Sequence, residues 1–225
     1  MVAVYLDGAN LAAMVLLEPQ VSGFTTNPSL MKQAGVGEYK NFALTCLMSA
    51  KGKPISFEVF SDDMDGMESQ AREIASWGDN VYVKIPCTNT KAESTALLIR
   101  KLSAEGIKLN VTAVMTFDQI NNLTRCLHPQ TPSILSIFCG RIADTGRDPV
   151  PFITQASRVK HAETKILWAS TREVLNFKQA QSAGADIITM TPSLIEKLDL
   201  SGKDLALYSL ETVRQFFEDA AGLTL

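Results

Sequence analysis

Short runs of β-branched and other apolar residues recur along the chain at positions 2–6, 22–26, 55–60, 81–85, 109–115, 134–138, 166–169 and 186–190. Runs of this length and composition predict strands. Their starts lie ~20 to 33 residues apart, which leaves room for one helix between neighbours. The segments between them carry helical patterns. Residues 67–75 are amphipathic and end near Gly78, 92–104 places Ala96, Leu97, Ile99 and Leu102 near one face before Gly106, and 172–183 stops at Gly184. A glycine just past the last turn relaxes the left-handed cap. Eight strands alternating with helices predict a parallel sheet with right-handed crossovers. Eight such units in about 200 residues predict an α/β fold of the closed (β/α)8 TIM-barrel type. The runs lack strict polar alternation, as expected of strands covered on both faces. No internal linker stands out, so residues 1–225 read as one domain. A last helix over about 207–220 carries Leu207, Leu210, Val213, Phe216 and Phe217 between acids and Arg214. That stripe needs a partner surface, on the barrel or on a neighbouring subunit.

Composition narrows the function. Lys and Arg total 21 against 24 Asp and Glu, a net charge of −3. No bulk field attracts a nucleic-acid backbone, so any phosphate recognition rests on a few placed residues. No apolar run approaches the ~20 residues of a membrane span, and Met1-Val2-Ala3-Val4-Tyr5-Leu6-Asp7 does not predict a signal peptide. Cys46, Cys87, Cys126 and Cys139 have no CxxC spacing and read as reduced thiols of a cytoplasmic protein. His128 and His161 are too few for a metal site. Asp62-Asp63-Met64-Asp65-Gly66 lacks the spacing of a calcium loop and reads as a polar turn. No glycine-rich dinucleotide loop, phosphate-binding GK[ST] loop or G-x-S-x-G elbow is present.

A barrel places its chemistry at the C-terminal ends of the strands. Those positions hold Asp7, Asn27, Glu58, Lys84, Asn110, Thr112, Ser136, Arg141, Ser170 and Arg172. Lys84 ends the apolar run Val81-Tyr82-Val83. Desolvation disfavours an ammonium there, and a neutral lysine attacks a ketone to give a Schiff base. The alternative is a lysine that snorkels to water. Asp7 either serves chemistry or caps the helix that follows Ala9. Glu58, flanked by Phe57 and Val59, either serves chemistry or forms a structural ion pair with a barrel lysine. Arg141, Ser170 and Arg172 suit a phosphomonoester held by two guanidinium forks and a hydroxyl. Alternatively the arginines are solvated. Arg172 at a helix opening opposes the helix dipole unless an anion arrives.

The motifs together resemble the transaldolase family in its short form, which includes the fructose 6-phosphate aldolases. They are Leu6-Asp7, Gly23-Phe24-Thr25-Thr26-Asn27-Pro28-Ser29-Leu30, Phe57-Glu58-Val59, Val83-Lys84-Ile85-Pro86, Asn110-Val111-Thr112, Gly140-Arg141-Ile142, Ala169-Ser170-Thr171-Arg172 and Gly184-Ala185-Asp186. The resemblance implies a metal-independent enzyme without cofactor, acting on sugar phosphates. Lys84 is then the Schiff-base lysine and Asp7 exchanges the proton of the hydroxyl whose C–C bond breaks. Glu58 with Thr112 holds a relay water. Asn27, Asn110 and Ser136 bind donor hydroxyls, Asn27 also holds the lysine, and Arg141, Ser170 and Arg172 grip the phosphate. The family's transaldolases carry Glu and Phe at the positions of Glu58 and Phe138, where its aldolases tend to carry Gln and Tyr. A tyrosine hydroxyl would help protonate the carbanion left by cleavage, and Phe138 lacks it. The resemblance therefore implies transfer of a dihydroxyacetone unit from fructose 6-phosphate or sedoheptulose 7-phosphate to an aldose phosphate. The alternatives are a fructose 6-phosphate aldolase and a barrel that binds sugar phosphates without chemistry. The resemblance also implies a homo-oligomer, a pentamer or decamer, with the last helix packed on a neighbour. Three segments depart from the family pattern: Ser136-Ile137-Phe138-Cys139 in place of Ser-Pro-Phe/Tyr-Val, Gly8 where Thr or Ser often follows the aspartate, and Met115-Thr116-Phe117-Asp118 in place of a Phe-Ser turn. None removes a group named above.

Overall fold

Each of the eight apolar runs forms a strand in the computed structural model, which describes residues 2–224. The strands are β1 (Ala3–Asp7), β2 (Gly23–Thr25), β3 (Ile55–Glu58), β4 (Val81–Pro86), β5 (Leu109–Val114), β6 (Ser133–Ile137), β7 (Thr164–Trp168) and β8 (Ile187–Met190). They pair in parallel in chain order, and β8 closes on β1 to complete the barrel. The helices are α1 (Leu11–Leu17), α2 (Pro28–Gln33), α3 (Tyr39–Ala50), α4 (Met64–Ala75), α5 (Ala96–Ala104), α6 (Phe117–Cys126), α7 (Cys139–Ala143), α8 (Val150–Val159), α9 (Leu175–Ala183), α10 (Pro192–Glu196) and α11 (Leu205–Asp219).

Two helix starts differ from the sequence expectation. The helix expected at 172 begins at Leu175, because the Asn176 side chain accepts the backbone N–H groups of Arg172 and Glu173 and holds them in a preceding turn. The helix expected at 92 begins at Ala96, after Ala92 takes a left-handed conformation (φ 62°). Capping fixes other starts. Asp63 caps α4 through Gly66 N–H, and Thr116 with Gln119 forms a capping box on α6, which satisfies otherwise orphaned donors.

Alternation along the strands separates two environments. Ile55, Phe57, Val83, Ile85 and Val111 face outward and pack under the helices in one continuous core. Inward positions divide by height. Tyr5, Ile134, Leu167 and Ile187, with Tyr82 against them, plug the lower barrel. Gly23, paired with Tyr5 across β1 and β2, is required here: a Cβ would lie 2.5 Å from the Tyr5 ring. Above the plug the inward positions turn polar, and that layer forms the floor of a cavity at the strands' C-terminal ends. Among the described residues no helix is long and apolar enough to cross a membrane. Cys46, Cys87, Cys126 and Cys139 are free and buried.

Candidate active site

Parallel register sets Glu58, Lys84 and Asn110 side by side on β3, β4 and β5. Lys84 is 5% exposed, which rules out the snorkelling alternative. Its Nζ donates to the Thr26 carbonyl at 3.0 Å and lies 3.1 Å from Glu58 Oε2. A lysine ammonium has three donors, so two are engaged and the residue still lines the cavity. The structural ion pair considered for Glu58 is therefore a pair with Lys84 itself.

Asp7 does not cap the helix after it. Asn10 does, accepting the Ala13 N–H at 3.0 Å. Asp7 instead stands in the cavity wall, where Thr25 Oγ1 donates to its Oδ1 at 2.9 Å. Thr25 Oγ1 in turn lies 2.6 Å from Thr189 Oγ1. The carboxyl touches the cavity but is enclosed by barrel walls. Burial pushes its pKa up, opposed by the Lys84 charge and by the Thr25 hydrogen bond. A carboxyl whose pKa is raised holds a proton more readily, which suits it to proton exchange.

Thr112 lies at the end of β5, where the ladder with β6 shifts register between Val111 and Val114 and Ala113 takes φ 60°. Its Oγ1 is buried without a hydrogen-bond partner among the described residues. Buried hydroxyls normally have one, and Thr112 lines the cavity, where a bound group can supply it. Ser136 also lines the cavity, and its hydroxyl donates to Asn110 Oδ1 at 2.6 Å. Asn110 Nδ2 donates to Ser56 Oγ at 2.9 Å. Asn110 is fully buried with both amide ends used, so it stands behind Ser136 rather than in the wall. Asn27 lines the cavity, but its Oδ1 caps α2 through Leu30 N–H, and the lysine is held by the neighbouring Thr26 carbonyl.

Phe138 packs on the barrel plug and lines the cavity. Arg141, Ser170 and Arg172 line the same cavity, which measures about 560 Å³. Ser170 takes φ 61°, a conformation costly for any residue but glycine. Gly140 fits against it closely: a Cβ would lie 1.7 Å from the Ser170 carbonyl oxygen. Arg172 precedes α9 rather than opening it, so its charge does not sit in the first turn against the helix dipole. Its Nη2 donates to Asp144 Oδ2 at 2.6 Å instead.

Thr25, Thr26, Ser56, Thr189 and Asp144 join the site although the sequence marked none of them for a role there. Ser56 and Thr189 carried a readable signal, each a lone polar residue between apolar ones on an inward position (Ile55-Ser56-Phe57 and Ile188-Thr189-Met190). Asp144 carried none. No cluster of three or more metal-ligating side chains occurs among the described residues.

The closed parallel barrel thus gathers a buried lysine on β4, Glu58 beside it on β3, Asp7 on β1 and two arginines around one cavity. Residues 4–224 match the family model described as Transaldolase/Fructose-6-phosphate aldolase. A probable transaldolase of Methanococcus maripaludis is 35% identical over 199 residues, 86% of this chain and 88% of its own length. Another from Nitrosopumilus maritimus is 32% identical, covering 87% and 86%, and one from Dehalococcoides mccartyi is 35% identical, covering 83% and 85%. The chain belongs to the transaldolase/fructose-6-phosphate aldolase family. Solved structures share the fold at much lower identity. Orotidine 5'-monophosphate decarboxylase from Sulfolobus solfataricus is similar with a TM-score of 0.57 at 16% identity, covering 97% and 99% of the two chains. 3-Hexulose-6-phosphate synthase from Salmonella typhimurium has a TM-score of 0.59 at 14% identity, covering 84% and 88%.

Proposed function

We propose that this protein is a metal-independent transaldolase that moves a dihydroxyacetone unit from a ketose phosphate, such as fructose 6-phosphate or sedoheptulose 7-phosphate, to an aldose phosphate. The observation that carries the reading is the buried Lys84 Nζ, 3.1 Å from Glu58 in a cavity that also holds Asp7. Glu58 takes a proton from the ammonium, and the neutral amine adds to the donor ketone. Protons delivered through a water held by Glu58 and the orphan Thr112 hydroxyl let the carbinol oxygen leave as water, which gives an iminium. Asp7 then removes the proton of the hydroxyl carried by the far carbon of the bond to be broken. That bond's electrons flow to the iminium nitrogen, an aldose phosphate departs, and an enamine remains. Addition of the enamine carbon to an acceptor aldehyde, with Asp7 returning its proton, rebuilds the iminium. Hydrolysis releases the new ketose phosphate. Ser136, positioned by Asn110, and Asn27 face the donor hydroxyls. Arg141, Ser170 and Arg172 hold the phosphate at the rim. Phe138 offers no hydroxyl to protonate the enamine, which favours transfer over release. The exposed apolar face of α11 supports a homo-oligomer, and the four unpaired thiols suit a cytoplasmic enzyme.

Borohydride reduction with fructose 6-phosphate, read by intact mass and peptide mapping, is expected to leave a dihydroxyacetone-sized adduct on Lys84 that Lys84→Met abolishes. Glyceraldehyde 3-phosphate should then form in an erythrose 4-phosphate-dependent manner. Equal formation without acceptor makes the protein a fructose 6-phosphate aldolase. Phosphate binding without an adduct from either ketose makes it a non-catalytic binder.

A further inference from the structure

The rim cations are held differently. The Arg141 guanidinium makes no side-chain or carbonyl hydrogen bond among the described residues, whereas Arg172 is tied through Nη2 to Asp144 Oδ2 at 2.6 Å. Asp144 caps the end of α7, the helix that carries Arg141. One short helix therefore presents a cation to the cavity and, at its last turn, an anion to the other cation. Two arginines and one aspartate leave the rim with a single net positive charge. Both members of the pair are about half exposed, at 49% and 52%, and ion pairs this exposed contribute little and exchange readily. A phosphomonoester dianion is a stronger partner for a guanidinium fork than one carboxylate oxygen.

We propose that Asp144 is a specificity-determining residue that sets the anion affinity of the rim by competing with phosphate for Arg172. The inference rests on the phosphate-clamp reading above. The carboxylate occupies Arg172 when the rim is empty and gives it up when a phosphate arrives. That competition weakens phosphate binding, so a sugar phosphate product leaves easily. A strut that merely orients Arg172 has the opposite sign: it strengthens binding, and a competitor weakens it.

The test is a ³¹P NMR titration of inorganic phosphate into the full-length protein. Asp144→Asn keeps an acceptor oxygen and removes the charge, and the site is exposed enough to tolerate it. The Kd is expected to fall about two- to five-fold, the factor by which breaking an exposed ion pair penalises a competing anion. In an Arg172→Gln background the same change should lose most of that gain, since competition requires the guanidinium. An unchanged or higher Kd in Asp144→Asn overturns the proposal, as does a gain that persists in full without Arg172. A wild-type protein that binds no phosphate sinks the clamp reading itself, and this inference with it.

Discussion

Asp7 shows how one residue trades stability for chemistry. Burial raises its pKa, and the Lys84 charge and Thr25 hydroxyl restrain the rise only in part. A carboxyl whose folded pKa exceeds its unfolded value, about 3.9, favours the folded state when protonated. That contribution is present below the unfolded value and is lost as pH rises through the folded one. Asp7→Asn should therefore melt higher at neutral pH, by about 2–4 °C for each ~1 kcal/mol recovered. Its advantage over wild type should shrink on acidification. Its transfer rate should fall by about 10²–10⁴, the usual contribution of a placed acid–base group. Calorimetry across pH with parallel rate measurements checks both; an Asn variant less stable at pH 7 and equal at pH 4 contradicts the burial argument. Thr112 makes a matched case. Its buried hydroxyl has no partner among the described residues, and leaving such a group unpaired costs about 1–3 kcal/mol. Thr112→Val is expected to be at least as stable as wild type by denaturant unfolding while losing about 100-fold in kcat. A destabilised variant with full activity would mean that the hydroxyl serves the fold.

The loops after β6 and β7 make the rim at the scale of elements. Ser170 is held at φ 61°, and its carbonyl fills the space beside Gly140 Cα. The start of α7, with Arg141, and the turn before α9, with Arg172, are thus set by one backbone contact. Gly140→Ala puts a Cβ 1.7 Å from that oxygen, and the two loops must separate. A loss of about 1–3 kcal/mol, typical of overpacking, is expected by denaturant unfolding, with at least ten-fold weaker phosphate binding and an intact Lys84 adduct. Unchanged phosphate affinity would show that the rim does not depend on this contact. This is also where the sequence stopped being legible. All eight strands were readable from their apolar runs, and Lys84, Asp7 and Glu58 stood out as ionisable residues at the ends of such runs, where the runs alone left snorkelling, capping and a structural ion pair open. The Asp144 partnership was not, because it links loops 28 positions apart and leaves no periodic trace. The start of α9 was misplaced because the Asn176 side chain, not the helical pattern, decides it. Asn110 looked like a ligand contact from its place on β5, but only the register with Ser56 and Ser136 shows that both of its amide ends are spent.

At the scale of the whole molecule α11 is the unfinished element. Asp204 caps it, Lys203 pairs with Glu211 and lies over the Tyr208 ring, and the helix buries none of its residues in this chain. Leu205, Val213, Phe216 and Phe217 are exposed, Phe217 at 82%. A run of large apolar side chains along one helix is costly to leave in water, and in a stable protein it marks an interface. The barrel gains nothing from it, since its core closes between the strands and the helices before α11. Changing this face should therefore leave the barrel folded. Val213→Glu with Phe217→Glu places two charges four residues apart on the helix, and burying either in an interface core is prohibitive. Light scattering at micromolar concentration should show wild type as a multiple of the chain mass and the double variant as smaller species. The melting of the barrel and the Lys84 adduct should persist in the variant, because neither the plug nor the cavity includes α11. A monomeric wild type would leave this stripe to some other partner, and a variant that keeps the wild-type mass would place the interface elsewhere on the barrel.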